Sequence, residues 1–145
     1  MSQISDSLLV PFSTEKMYRL VNDVSSYPQF LSGCISSQVL NANDFFMTAS
    51  IEISIAGFIR QRFITRNTLT HNHSIHIQLL EGPFRTLSGI WNFTAKKKET
   101  CQVQLHLNVE FTNIFMEIAF KTTLDKIHSS LLKAFNKRAR EVYTA

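Results

Sequence analysis

The sequence predicts an α+β fold in which a curved antiparallel sheet of about six or seven strands wraps around one long C-terminal helix. Apolar and polar residues alternate through five successive runs between residues 45 and 111, as in strands with one buried face. Helical spacing of apolar residues is confined to the two ends of the chain. No repeat, low-complexity stretch or linker interrupts the 145 residues, so one domain over residues 1–145 is expected.

The first expected elements are an N-terminal strand and a short helix. Ser13 or Thr14 can cap this helix, whose apolar positions are Met17, Leu20, Val21 and Val24. Tyr27-Pro28 is expected to end it, because proline disfavours helical geometry in the residue before it. A short helical turn can follow before the strands begin.

A series of antiparallel strands is expected next, because apolar and polar residues alternate along the chain. The first clear run has one apolar face, made of Phe45, Met47, Ala49, Ile51, Ile53 and Ile55. Ala56-Gly57 is expected to turn the chain into a strand from Phe58 to Thr70, with Arg60, Arg62 and Arg66 on one side. Three further runs bury Ile75, Ile77 and Leu79, then Leu87, Gly89, Trp91 and Phe93, then Cys101, Val103, Leu105, Leu107, Val109 and Phe111. Short polar connections favour antiparallel hairpins.

The terminal helix is expected to begin after Thr112-Asn113 and to end near Tyr143, with a length of about 43 Å. Its apolar stripe comprises Met116, Phe120, Leu124, Ile127, Leu131, Phe135 and Val142. A helix held by a curved antiparallel sheet is the helix-grip arrangement. Sheet and helix cannot close fully along such a length, so an apolar cavity between them is predicted.

Composition agrees with a deep apolar interior. Hydrophobic residues make up 44 % of the chain, which excludes a mainly disordered state. The aromatic residues are 12 Phe, three Tyr and one Trp, and Phe adds apolar area without a polar group. This composition fits either a large core or a ligand cavity.

The net charge of +4 comes from the C-terminal segment, since acidic and basic residues balance before it. That segment carries Lys121, Lys126, Lys133, Lys137, Arg138 and Arg140 against Asp125 and Glu141. An anionic partner, such as RNA or a membrane surface, and a merely solvated helix face both explain this pattern. Arg60, Arg62 and Arg66 can join the lysines in a phosphate-binding patch, or form a solvated face with partners such as Glu52.

Compartment and chemistry are constrained by what the sequence contains. Two cysteines, no signal or transit peptide and no long apolar run predict a cytoplasmic protein. His71, His73 and His76 lack the further ligands of a metal site, and nothing local activates Cys34 beside His106 as a nucleophile. No catalytic residue and no metal are therefore expected.

Three motifs have both a functional and a structural interpretation. Tyr27-Pro28-Gln29-Phe30 is either a gate over the cavity or a plain helix stop. In Glu81-Gly82-Pro83-Phe84, Gly82 permits positive φ, and Phe84 is either a lid or part of a simple turn. Trp91 either lines the cavity, with Gly89 leaving room for a ligand, or is the largest core residue of its strand.

The order and spacing of six segments resemble one known family over nearly the whole chain. The segments are Val21–Leu31 with Cys34, Thr65–Leu69, Glu81–Phe84, Leu87–Trp91, Val109–Phe111 and Phe135–Tyr143. They resemble the coenzyme Q-binding START-like (SRPBCC) family, also labelled oligoketide cyclase/lipid transport. Within this family, the chain most resembles the branch of bacterial ribosome association toxins, because both the ending Ala139–Tyr143 and the lack of a transit peptide fit that branch. Ser32-Gly33 departs from the family pattern, in which proline and a small residue or tryptophan precede the cysteine.

The resemblance implies a helix-grip fold whose cavity holds a hydrophobic ligand, in relatives a polyprenyl quinone. The toxin branch implies association with the large (50S) ribosomal subunit that blocks subunit joining. We therefore expect non-enzymatic binding of an isoprenoid or other lipid, ubiquinone first, with the ribosome-binding toxin as the alternative. An aromatic polyketide cyclase is a third interpretation, which requires an acid/base group inside the cavity. Peripheral contact with the inner membrane fits the lipid interpretation, and DNA is not an expected partner.

Two sets of residues are expected to carry these functions. The ligand is expected to contact Tyr27, Phe30, Leu31, Met47, Ile51, Phe63, Leu79, Phe84, Leu87, Trp91, Leu107, Phe111, Phe115, Ile118 and Phe120. The basic partner surface is expected to comprise Arg60, Arg62, Arg66, Lys126, Lys133, Lys137 and Arg140.

Overall fold

The computed structural model describes residues 2–55 and 59–144. The strands are β1 (Ser2–Val10), β2 (Cys34–Ala42), β3 (Phe46–Ile55), β4 (Ile59–Thr70), β5 (Ser74–Glu81), β6 (Phe84–Lys97) and β7 (Thr100–Phe111). The helices are α1 (Thr14–Asn22), a 3₁₀ helix (Val24–Gln29) and α2 (Ile114–Tyr143). The expected Ala56-Gly57 turn and Phe58 lie outside the described residues.

All seven strands form one antiparallel sheet in the order β1-β7-β6-β5-β4-β3-β2. The sheet curves around α2, so the predicted helix-grip fold is confirmed. The edge strand β2 shows little apolar alternation, which is why the sequence did not delimit it. Among the described residues, no helix has both the length and the apolar character needed to span a bilayer.

Side-chain caps fix the starts of both α-helices. The Ser13 hydroxyl accepts the N–H of Lys16 at 3.2 Å, and Asn113 Oδ1 accepts the N–H of Met116 at 2.9 Å. The expectation that Tyr27-Pro28 ends α1 is wrong. The chain leaves α-helical geometry at Asp23, with φ −83° and ψ 67°, and Pro28 lies inside the 3₁₀ helix that follows.

Two expected inward positions are exposed instead. Phe45 precedes β3 because Asn43 Oδ1 accepts the N–H groups of Phe45 and Phe46 and turns the chain there. Val142 is exposed because Ala139 and Tyr143, four and eight residues after buried Phe135, continue the apolar stripe of α2.

The interior contains two clusters of apolar side chains. The larger cluster joins α1, the C-terminal half of α2 and the middle of the sheet, around Phe135 and Trp91. The smaller one lies at the start of α2 and comprises Ile55, Phe84, Leu87, Val109, Phe111 and Phe120. Along β6, for example, Phe84 belongs to the smaller cluster and Phe93 to the larger.

Gly89 allows a close approach between β6 and β7. The expectation from the sequence that it leaves room for a ligand is therefore wrong. A Cβ atom at this position would lie 2.7 Å from Leu107 Cδ1 and 2.8 Å from the carbonyl oxygen of His106. The second neighbour is backbone and cannot turn aside.

Replacing Gly89 with Ala is therefore expected to lower the free energy of unfolding by about 1–3 kcal/mol, since the two strands must separate. Urea unfolding measures this. Ser88→Ala, on the exposed face of the same strand, is the control and should change stability by less than about 0.5 kcal/mol. A Gly89→Ala protein as stable as the wild type would contradict the close approach.

Candidate ligand cavity and partner surfaces

A cavity of about 300 Å³ lies between α2 and the concave face of the sheet, in the gap between the two apolar clusters. Its walls are the middle parts of β3 to β7, the 3₁₀ helix and the inner face of α2. This volume is at the lower end of the range of small-molecule sites. The sequence predicted a cavity in this position.

Eight of the fifteen expected ligand contacts line the cavity: Tyr27, Phe30, Leu31, Ile51, Phe63, Leu87, Trp91 and Leu107. Phe135, which the sequence had placed only on the helix stripe, joins their aromatic rings. Its centroid lies 5.5 Å from Tyr27, 5.2 Å from Phe30 and 5.1 Å from Trp91. The Tyr27–Phe30 segment is thus part of the wall.

Five other expected contacts pack in the clusters instead: Met47 in the larger one, and Leu79, Phe84, Phe111 and Phe120 in or against the smaller one. Phe84 is not an exposed lid, because it is buried with ring centroids 5.2 Å from Phe120 and 5.9 Å from Phe111. The glycine before it, Gly82, does have positive φ, at +157°.

Phe115 and Ile118 are placed outside the interior altogether, at 79 % and 65 % exposed. They occupy the first turns of α2, where Phe120 and Met116 face the smaller cluster. Ile118 lies on the opposite side of the helix from these two residues, and Phe115 lies about a third of a turn away from them, so neither side chain lines the cavity.

The cavity wall also contains polar residues that were not expected there from the sequence, among them Asn22, Thr65 and Asn67. A signal for two of them was present, because Thr65 and Asn67 share the inward phase of Phe63 and Leu69 on β4. Polar side chains at inward positions of a strand are unusual, and they mark a place where a hydrogen-bond partner is needed.

The cavity rim is formed by the loop before β2 and the end of β3. Ser32 and Gly33 are exposed and line the cavity together with Ser54, whose N–H donates to the Gly33 carbonyl at 2.8 Å. The unusual Ser32-Gly33 sequence is thus held against the sheet at this rim.

The lining residues of the described part of the chain include no Asp, Glu, His, Lys or Arg. Tyr27 and Cys34 are the titratable groups among them. Burial, followed by the nearby Cys34 and Asp23, raises the pKa of the Tyr27 phenol, which donates a hydrogen bond to the Val21 carbonyl. Burial also raises the pKa of the Cys34 thiol. Both groups are therefore neutral at pH 7, and neither is a poised base or nucleophile there.

Residues 2–55 and 59–144 hold no group of three or more His, Cys, Asp or Glu side chains arranged to bind a metal. His71 stacks edge-on against Tyr18 at 5.4 Å, which gives it a packing role. The two cysteines are free, and Cys101 is buried in the larger cluster.

The expected basic surface is split between two opposite sides of the molecule. Arg60, Arg62 and Arg66, which we call the arginine strand, point away from the core, since their neighbours Phe63, Thr65 and Asn67 face the cavity. Lys126, Lys133, Lys137 and Arg140, which we call the basic helix face, are exposed on α2, opposite Phe135. The sheet separates the two sets, so they do not form the single patch that the sequence allowed.

The comparisons with known proteins agree with this architecture. Residues 10–136 match the family described as polyketide cyclase / dehydrase and lipid transport. A START superfamily protein from Mycobacterium smegmatis has the same fold, with a TM-score of 0.77 at 21 % identity over 97 % of this chain and 98 % of that one.

Two curated relatives bear on function. Ribosome association toxin RatA of Escherichia coli (strain K12) is 48 % identical over 145 residues, which cover 100 % of this chain and 91 % of that protein. Coenzyme Q-binding protein COQ10 homolog B, mitochondrial, of Xenopus laevis is 24 % identical over 97 % of this chain and 59 % of that protein. The START-like resemblance of the motifs is confirmed, and the chain belongs to the polyketide cyclase / dehydrase and lipid transport family.

Proposed function

We propose that this protein associates with the ribosome, through the large subunit, and hinders the joining of the two subunits. Its 48 % identity with a ribosome association toxin along the whole chain supports this proposal. From the sequence, hydrophobic-ligand binding is the first expectation and ribosome association the alternative. The relatives favour the reverse order, since this chain is 48 % identical to the toxin and 24 % identical to the coenzyme Q-binding protein.

The basic helix face is the surface we assign to this contact. Lys126 and Arg140 are 14 residues apart, so the four cations extend over about 21 Å of the helix. Lys133, Lys137 and Arg140 are exposed and take part in none of the ion pairs found among the described residues. A straight row of exposed cations suits the phosphate backbone of ribosomal RNA, which needs no base-specific contact.

The arginine strand is less available for such a contact. Arg62 Nε donates to the Ser50 hydroxyl at 2.6 Å, although Glu52 is its direct cross-strand neighbour. The guanidinium of Arg66 lies over the Phe46 ring, 4.2 Å from its centroid. Two of the three arginines are thus held by their own sheet.

Co-sedimentation with purified ribosomal subunits tests the proposal. We expect the chain to pellet with large subunits and not with small ones. If three phosphates are contacted, the affinity should fall roughly fortyfold between 50 and 200 mM salt, because counterions are released on binding. A chain that stays in the supernatant with large subunits at 50 mM salt would contradict the proposal.

A second function is supported by the cavity itself. We propose that it binds a hydrophobic isoprenoid or related lipid, with ubiquinone as the first candidate, and that it does not catalyse a reaction of this ligand. An apolar wall with few polar groups and no charged side chain among the described lining residues suits such a ligand. The similarity to a coenzyme Q-binding protein points the same way. Peripheral contact with a membrane would allow the lipid to enter the cavity. We further propose that the protein is cytoplasmic and that residues 1–145 form one domain.

Filling the cavity tests this second function. Ala134 lies in the wall on α2, and Ala134→Phe adds a phenyl ring there. Trp91 is the only tryptophan and lines the same cavity, so a bound quinone should quench its fluorescence. We expect saturable quenching by decylubiquinone in the wild type and an affinity at least about tenfold lower in the variant.

Ala95→Phe places the same ring at an exposed position near the end of β6, away from the lining residues, and is the matched control, expected to bind like the wild type. Quenching that never saturates, or that is the same in all three proteins, would argue against a ligand site in the cavity.

A further inference from the structure

Two of the polar side chains in the cavity wall, Thr65 and Asn67, are buried in otherwise apolar surroundings. Thr65 and Asn67 are only 3 % and 7 % exposed, and they are flanked by Phe63, Ile75 and Ile77 in the lining. Burying an amide or hydroxyl in such a place is unfavourable unless its hydrogen bonds are made.

Hydrogen bonds within the chain satisfy only some of the donors and acceptors of Asn22, Thr65 and Asn67. The Thr65 hydroxyl donates to Asn67 Oδ1 at 3.0 Å. This bond fixes the orientation of the Asn67 amide and leaves its two N–H donors for another acceptor. Asn22 Oδ1 is buried and has no hydrogen-bond partner among the described residues. The set thus presents donors from Asn67 and an acceptor from Asn22.

These residues lie at the end of the cavity remote from its rim. Asn22 ends α1, and Asn67 is paired with Met47 near the start of β3. The rim residue Ser54 pairs with Arg60, seven residues before Asn67 on β4. Seven residues of a strand extend over about 23 Å. A ligand that reached Asn67 would therefore leave its tail along the apolar wall towards the rim.

We propose that Asn22, Thr65 and Asn67 form a hydrogen-bonding subsite for the head group of the ligand, and that this subsite selects a hydroxyl-bearing ring. The inference rests on the proposed binding of a hydrophobic ligand. A phenolic hydroxyl satisfies both sides, because its oxygen accepts from Asn67 and its O–H donates to Asn22 Oδ1. A quinone carbonyl only accepts and leaves Asn22 unsatisfied. The ligand class is an alkylated phenol or hydroquinone, held head inwards.

Three probes with one decyl tail test the subsite: decylubiquinol under anaerobic conditions, decylubiquinone, and decylbenzene, which has no oxygen. Titration calorimetry of the wild type should give tightest binding for the quinol, with the quinone about tenfold weaker and decylbenzene weaker again. Asn67→Leu should weaken both oxygenated probes about tenfold and leave decylbenzene unchanged. Asn22→Leu should remove only the preference for quinol over quinone.

Asn41→Leu, at an exposed position of β2, is the control and should keep the wild-type order. Retained decylbenzene binding shows that a variant is folded. If the Asn67→Leu variant does not fold, the quinol preference of the Asn22→Leu variant tests the subsite. Equal affinity of the wild type for all three probes, or wild-type selectivity in both variants, overturns the subsite while the ligand function stands. Binding of none of the probes overturns both.

Discussion

Replacing Phe135 with Ala is expected to lower the free energy of unfolding by about 3–5 kcal/mol. Phe135 is 1 % exposed and contacts the rings of Tyr27, Phe30 and Trp91 from its place on α2. It connects the helix to both the sheet and the 3₁₀ helix. Removal of the ring leaves a hole beside an existing cavity, so the surrounding side chains can close it only partly.

Phe115→Ala removes the same ring from the same helix and is the matched control. Because Phe115 is largely exposed, this change should alter stability by less than about 0.5 kcal/mol. Urea unfolding of the two variants measures the difference. Equal destabilisation by both changes would mean that α2 does not pack on the sheet through Phe135.

Reversing the charge of Lys133, Lys137 and Arg140 to Glu is expected to weaken binding to the large ribosomal subunit at least about a hundredfold at 50 mM salt, or about 2.7 kcal/mol. Each change removes a phosphate contact and adds a repulsive charge at the same place. All three side chains are exposed on the side of α2 opposite the core, so the fold should tolerate the substitutions. Co-sedimentation over a salt series measures the loss.

The control reverses Arg60, Arg62 and Arg66 to Glu, which changes the net charge of the chain by the same amount on the other side of the sheet. We expect this variant to keep most of its ribosome affinity. If the arginine-strand variant lost binding and the helix variant kept it, the assigned surface would be wrong. An equal loss in both would indicate that only the overall charge matters.

The strands and helices followed from local patterns because most of them bury one face. The alternation on β3 to β7 and the spacing on α2 reflect packing against one another. Helix α1 was delimited at its start by the Ser13 cap, whereas its end depends on the backbone turn at Asp23 that no side-chain pattern marked. Element boundaries set by backbone geometry are harder to predict than faces set by burial.

Within the cavity, the sequence could say which residues face inwards but not how deep each one lies. Phe84, Phe111 and Phe120 face inwards, yet they pack on one another and close one end of the interior. Leu87 and Leu107, a few residues away on the same strands, line the open middle. The distinction depends on three-dimensional contacts between β6, β7 and α2, which period-2 alternation does not contain.

Other features depended on pairing between strands. Gly89 is required by the proximity of β7, and only the register with Leu107 makes that visible. The separation of the arginine strand from the basic helix face follows from α2 packing on the opposite side of the sheet. In contrast, Thr65 and Asn67 were visible in the sequence as polar residues in an inward phase.

The two proposed functions use opposite sides of one helix. The inner side of α2 lines the cavity with Ile127, Leu131 and Ala134, and its outer side carries the basic helix face. Ligand binding and ribosome association therefore do not compete for the same surface. The chain is similar to a ribosome association toxin and, more distantly, to a coenzyme Q-binding protein.

Light scattering during the association of ribosomal subunits measures whether this protein hinders their joining. Purified large and small subunits are mixed after the large subunits have been incubated with the chain. We predict that the scattering increase is slowed and reduced in proportion to the amount of chain, and that the variant with Lys133, Lys137 and Arg140 reversed to Glu has no effect. Undiminished joining in the presence of a large excess of the wild-type chain would show that the protein does not act on subunit association.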